Sequence, residues 1–350
     1  MRKEVILAII SGGVLGALIA FGIWRANNSS KNTERQAAVT SGSDTNFETA
    51  QPISVPRLTL ATPANDVVVT ESSVAVSGLT QPGNIIIVSG ENEDLAQVSS
   101  STGAFETNID LIGGLNEIKV LAFDKDKKVD ETKLKVVYST EFSRYILSSQ
   151  ELEEAQNSEN EDETIRNKVQ EKLNQKLSQP KAYIGSITDI AETSVQIKSH
   201  TGEIKLLSVT DDGATFVKTT GKANQNVEFA DMAIGDYIIA MGFVNENEVL
   251  ETKRILITNA EASTRNAILS AVTQISANTI TLGTELTARL TNSADYFFLE
   301  GTGLTEITAS KIETGNTVIV SGPVKDGKYQ ARIVIVISLP SPTPIENNDQ

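Results

Sequence analysis

The sequence predicts a mainly β chain: a β-sandwich and two tandem small β-barrels, with an N-terminal transmembrane helix and an amphipathic connector helix. Three observations predict this. The chain opens on an unbroken apolar or small run, Val5 to Trp24. Residues 56–139 then alternate short apolar stretches with turns rich in Gly, Pro, Asn and Asp, the pattern of strands and hairpins. After Pro180, two stretches of ~80 residues repeat one pattern, which marks a duplicated unit.

These observations divide the chain in order. Residues 1–25 are read as a cytoplasmic tip and anchor, and 26–55, rich in Asn, Ser, Thr, Gly and Gln, as a disordered tether. The sandwich covers 56–139 and a charged linker with a helix 140–180. The barrels cover 181–260 and 261–338. A Pro-rich tail, Pro340-Ser341-Pro342-Thr343-Pro344 and onward, fills 339–350.

Composition narrows the chemistry. The chain has 350 residues, 39% of them hydrophobic but only 5% aromatic, so its cores are built from Val, Ile, Leu and Ala. A formal charge of -15, with no basic stripe, argues against nucleic acid as a partner. Cysteine is absent, which excludes disulfides, thiolate metal sites and cysteine nucleophiles. His200 is the one histidine, so a two-histidine metal site cannot form and any histidine relay has to run through this residue.

The N-terminal run is long enough to span a bilayer, since about 20 helical residues reach roughly 30 Å. Arg2 and Lys3 before it predict a single pass in the cell membrane. The N-terminus is then cytoplasmic, the bulk extracytoplasmic and the lipid bilayer a partner. Trp24 sits at an interfacial position. The rival reading is a cleaved signal peptide, for which Ala20 and Gly22 offer one site. Gly12 and Gly16 have the spacing of helix-packing glycines, and the oligomeric state stays open.

In the sandwich the expected strands are Val67 to Thr70, Ser73 to Gly78, Ile85 to Ser89, Leu95 to Val98, Phe105 to Leu111, Glu117 to Phe123 and Lys133 to Tyr138. Leu134, Val136 and Tyr138 alternate with Lys133 and Lys135, as one buried and one wet face require. Several positions are distinctive: Val74-Ala75-Val76-Ser77-Gly78, Pro82-Gly83, Gly103-x-Phe105 and Leu111-x-x-Gly114-x-Asn116-x-Ile118-x-Val120. Together they resemble the bacterial Ig-like domain of the glucodextranase domain-B type. That resemblance implies a spacer or adhesion module and carries no catalytic residues.

The linker begins with acids, including Glu151, Glu159 and Glu163. Ile165, Val169, Leu173 and Leu177 then recur every four residues among Arg166, Lys168, Lys172 and Lys176. This predicts one amphipathic helix, stopped by Pro180, with charges that suit its dipole.

In the repeat, Ile187, Ile190, Val195 and Ile197 match Val272, Ile275, Ile280 and Leu282 without a gap. Gly235-Asp236-x-Ile238-x-x-x-Gly242 matches Gly315-Asn316-x-Val318-x-x-x-Gly322. The Gly-Asp/Asn pair predicts a tight turn with positive φ at the glycine. Hairpin turns follow at Asn245-Glu246-Asn247 and Lys325-Asp326-Gly327, and closing strands around Ile255 and Ile333. The units resemble a family of OB-like domains of bacterial envelope proteins. The Ile234-Gly235-Asp236 element and the closing strands carry that resemblance, with Thr252 in copy one where copy two has Ala331. It implies a fold rather than a mechanism.

No catalytic, cofactor or metal site is predicted. His200 lies in Ser199-His200-Thr201-Gly202, a hairpin tip. Asp124, Asp126 and Asp130 alternate with lysines and lack the ligand spacing of a calcium loop. Gly12-Gly13 and Gly113-Gly114 lack the Lys-Ser/Thr of a phosphate loop. The expected function is a non-enzymatic structural or adhesive protein, or one that binds a cell-wall or surface polysaccharide. Its partner is an envelope protein or a glycan. The candidate interaction patch follows from strand alternation. Tyr237, Ile239 and Met241 point out of the first barrel and are too apolar to stay bare. Either an external partner covers them, or the stripe Ile165, Val169, Leu173 and Leu177 does.

Overall fold

A computed structural model describes residues 57–146, 179–209, 213–220, 223–260 and 263–338, all within one compact unit. The first module has strands β1 (Leu58–Thr62), β2 (Val67–Val69), β3 (Ser73–Thr80), β4 (Ile85–Ser89), β5 (Asp94–Val98), β6 (Ala104–Asp110), β7 (Gly114–Phe123) and β8 (Lys128–Tyr138). They form two sheets, β1-β3-β6 against β2-β8-β7-β4-β5. Val76, Ile86, Val88, Phe105, Ile109, Ile118, Val120 and Val136 fill the space between them. Asn116 ties the loop before β7. Its side chain accepts from Ile112 N–H and donates to Ile112 O, each at 2.8 Å, while Gly114 takes a φ of 95°.

The second module contains β9 (Lys181–Ile190), β10 (Ser194–Ser199), β11 (Ile204–Ser208), β12 (Thr215–Thr220), β13 (Ala223–Val227), β14 (Tyr237–Val244) and β15 (Leu250–Thr258). Its pairings close a ring. β9, β10 and β11 run antiparallel in turn, β11 lies parallel to β15, β15 antiparallel to β14, and β14 returns to β9. The β12–β13 hairpin hangs from β15.

The third module repeats this with β16 (Arg265–Ser276), β17 (Thr279–Leu282), β18 (Leu286–Arg289), β19 (Asp295–Glu300), β20 (Gly303–Glu306), β21 (Thr317–Lys325), β22 (Lys328–Gln330) and β23 (Ile333–Ser338). The ring runs β16-β17-β18-β22-β21 and back to β16, and β23 carries the β19–β20 hairpin. The Gly-Asp/Asn turns make the same hydrogen bonds in both copies. Gly235 N–H donates to Ile187 O at 2.9 Å and Gly315 N–H to Val272 O at 2.8 Å, with φ of 97° and 93°. Asp236 and Asn316 each accept, through the side chain, from the N–H three residues earlier.

The modules are not beads on a string. β2 pairs with β9 through Val67 and Lys181, so one sheet runs from the sandwich into the first barrel. The sandwich sheet is also buried on both faces. In β4, Ile86 and Val88 face the sandwich core, while Ile85 and Ile87 join Leu121 and Phe123 against Ile319, Ile333, Ile335 and Ile337 of the second barrel. Each such fully buried side chain stabilises by about 1.5–3 kcal/mol.

The expected fold class needs correction. The chain is mainly β, but among the described residues no helix is long and apolar enough to cross a membrane. The described helical residues are the three-residue turns Thr140–Phe142, Phe229–Asp231 and Ala309–Lys311, together with 143–146. A spanning helix needs about 20 residues. The transmembrane helix, the signal-anchor, the single-pass location in the cell membrane and the bilayer as partner are therefore not carried forward. The run Val5 to Trp24 lies outside the described residues, as do the predicted tether, the tail and the connector helix with Ile165, Val169, Leu173 and Leu177.

Candidate functional site

The outward row of β14 begins the site. Tyr237, Ile239 and Met241 share the outer face of the first barrel, beside Arg254 and Leu256 of β15. Met241 is fully buried and Ile239 nearly so. Among the described residues, the neighbouring module packs on them. Val68 and Val137 of the sandwich and Phe142 of the turn after β8 pack onto them, with Tyr145 and Ile146 alongside. The connector stripe that the sequence offered as a cover lies outside the described residues.

The cover is incomplete. Beside it lies a cleft of about 720 Å³, within the usual range of small-ligand sites. Tyr237, Ile239, Arg254 and Leu256 form its barrel side. Glu117, Lys135, Tyr138 and Glu141 form its sandwich side, and Asn259, Ser263 and Thr264 between the barrels, with Arg265 at the start of β16, close one end. Burial raises the Tyr237 phenol above its ordinary pKa, and the negative charges of Asp66 and Glu117 push the same way.

Two arginines set the electrostatics. Arg254 forms an ion pair with Glu141, and its side chain is only 9% exposed against 60% for the carboxylate. Arg254 also approaches Thr215 Oγ1 at 3.4 Å, while its buried Nε has no hydrogen-bond partner. Arg265 pairs with Glu91 through both terminal nitrogens and donates to Glu117 O at 2.6 Å. It belongs to a buried polar seam between sandwich and second barrel. In that seam Asp94 accepts from Ser89 at 2.8 Å, Ser321 at 2.6 Å and Arg332 at 3.3 Å. Arg332 also donates to Gly90 O and Glu91 O. Burial holds the neighbouring Lys119 below its ordinary pKa.

A second groove of about 310 Å³ holds His200. Its Nδ1 lies 3.1 Å from Lys135 Nζ, which donates to it. Ser199 Oγ is 2.7 Å from Thr201 Oγ1. Among the described residues His200 hydrogen-bonds to neither Ser199 nor Asp66, so these three form no relay. Asp66 has a φ of 60° and a carboxyl raised in pKa by burial, against the opposing pull of Lys135, His200, Lys181 and Lys205. The Asp124 loop is a closed turn. Its carboxylate accepts from Asp126 N–H at 2.8 Å and Lys127 N–H at 2.7 Å. Among the described residues no group of three or more His, Cys, Asp or Glu is placed to hold a metal ion.

Sequence reasoning missed Arg254, Arg265, Glu91, Asp94 and Arg332. The sequence offered little signal for them: Arg254 follows the polar Glu251-Thr252-Lys253 and precedes the apolar Ile255-Leu256-Ile257, like any charged residue at the start of an apolar run.

Comparisons with known proteins add little. No family model matches the chain, and no curated protein matches it. Among solved structures, a carbohydrate acetylesterase from Xanthomonas citri aligns at 21% identity with a TM-score of 0.20. The alignment covers 23% of this chain and 19% of that one, and a likeness this slight carries no argument.

Proposed function

We propose that the protein is a non-catalytic structural or adhesive binding protein, in which three β modules act as one rigid body. The observation that supports this most is the burial of the sandwich sheet on both faces, with Ile85 and Ile87 committed to the second barrel. A spacer of independent domains has no need of such burial. The reading of the modules as Ig-like and OB-like is supported by two facing sheets in the first. In the others it is supported by a five-stranded ring with one parallel closure. Denaturant unfolding of the full chain, followed by a β-sheet signal and by tyrosine fluorescence, tests the rigid body. One shared transition is expected. Separate transitions for sandwich and barrels would sink it.

A second reading, polysaccharide binding, is favoured by the cleft. Its walls carry Tyr138, Tyr237, Thr219, Asn224, Thr258 and Asn259, a mix of aromatic faces, hydroxyls and amides suited to polyols. The full chain exposed to immobilised neutral and acidic glycans should retain some of them, and Tyr237→Ala should weaken that retention. Binding unaffected by this change would move the site elsewhere.

A further inference from the structure

The Arg254–Glu141 pair is lopsided, and the asymmetry bears on what the cleft takes. The guanidinium is fixed. It rises from β15 opposite Met241, which is fully buried, and its side chain is 9% exposed. The carboxylate that satisfies it is 60% exposed and comes from a three-residue turn. That turn is anchored by Phe142, which has no exposure, so the backbone stays while the Glu141 side chain is free to rotate away. The remaining interactions of Arg254 are poor: Thr215 at 3.4 Å, and a buried Nε with no partner. Buried donors left unpaired are uncommon, so Arg254 is under-satisfied where it stands. Arg265 also has a buried Nε without a partner, but Glu91 holds both of its terminal nitrogens and the Glu117 carbonyl takes a further bond, whereas Arg254 relies on one exposed carboxylate.

We propose that Arg254 is the anchor of a site for a carboxylate-bearing saccharide, and that Glu141 is an internal plug which the ligand's carboxylate replaces. Guanidinium groups bind carboxylates through paired hydrogen bonds, so an incoming uronate satisfies Arg254 at least as well as Glu141 does. Departure of Glu141 returns an already exposed carboxylate to water at little cost. Thr219, Asn224 and Asn259 then meet the sugar hydroxyls. This rests on the reading of the cleft as a saccharide site and adds the charge of the ligand.

The test is calorimetric titration of the full chain with an oligomer of galacturonic acid and with its neutral methyl ester. The acid should bind and the ester should bind at least about tenfold more weakly, the loss of one charge-assisted pair. Glu141→Gln should tighten the acid by roughly the inverse of the unplugged fraction, about five- to tenfold, and leave the ester unchanged. Arg254→Lys should weaken the acid with little change for the ester. Glu141 is exposed, so its variant folds even if the arginine variant does not. Equal binding of acid and ester would overturn the carboxylate claim while leaving the saccharide site standing. An unchanged affinity in Glu141→Gln would overturn the plug. Binding of neither ligand would overturn this inference and the saccharide reading together.

Discussion

The two barrels share a ring of strands, a glycine turn and a hanging hairpin, yet the sandwich holds them by different means. The first is joined at a strand edge, through Val67 and Lys181, and by apolar contact of Ile239 and Met241 with Val68, Val137 and Phe142. The second is joined face to face, through Ile319, Ile333 and Ile335, with a buried polar seam centred on Asp94. Cores of the copies match position by position, while their outer faces have diverged. Met241 in one copy stands where Ser321 stands in the other; the methionine packs on apolar neighbours and the serine donates to Asp94. Duplication preserved the inside, and each outside was fitted to a different surface of one neighbour.

The sharpest way to break this comparison is at the seam. Asp94→Ala leaves Arg332, Ser89 and Ser321 without their acceptor in a desolvated place, so a loss of about 3–5 kcal/mol is expected in denaturant unfolding. Met241→Ala, on the other barrel, should cost about 2–4 kcal/mol by opening a cavity. If Asp94→Ala is neutral, the seam is ornament and the second barrel is held by apolar packing alone.

Smaller effects probe what the barrels share. A Cβ at Gly242 would lie 2.1 Å from Glu251 O, and one at Gly322 the same distance from Gln330 O. Alanine at either should cost about 2 kcal/mol or more, through forced strand movement. At Gly235 a Cβ would meet nothing within 4 Å, so Gly235→Ala should cost only about 1 kcal/mol, from its φ of 97°. Melting temperatures of the three variants check this order, and equal losses in all three would mean that the close approach is unimportant.

The smallest effect lies at the junction with the first barrel. Burial raises the Asp66 carboxyl, so the folded chain binds this proton more tightly than the unfolded one. The stability linked to it is full below the unfolded pKa and is lost as pH rises through the folded one. Asp66→Asn mimics the protonated form and tolerates the positive φ. It should melt with the parent in acid and slightly above it near neutrality. A gap that is widest in acid would reverse the assigned direction.

Much of each module was legible from local patterns. Alternation in Lys133 to Tyr138 placed one strand, and matched glycines placed the turns at Gly235 and Gly315. The contacts between modules were not legible, for a physical reason. Contacts between modules join residues far apart in sequence, as Asp94 does with Ser321 and Arg332, and no local period announces them. A quieter signal existed. Ile85-Ile86-Ile87-Val88 and Ile333-Val334-Ile335-Val336-Ile337 are apolar at every position, not every second one. An antiparallel sheet with one wet face has no use for such runs, so they declare a strand covered on both sides. The Arg254–Glu141 pair gave less warning, because an acid in a charged linker looks like any other.

The strand-edge joint also behaves as a clock. Ala182 N–H donates to Asp66 O at 2.8 Å and Val68 N–H to Pro180 O at 3.1 Å, each bond crossing from one module to the other. Neither amide can trade its hydrogen for solvent deuterium until the modules part. Their exchange rates therefore count separations directly, event by event, while amides inside each barrel wait for the rarer opening of the barrel itself.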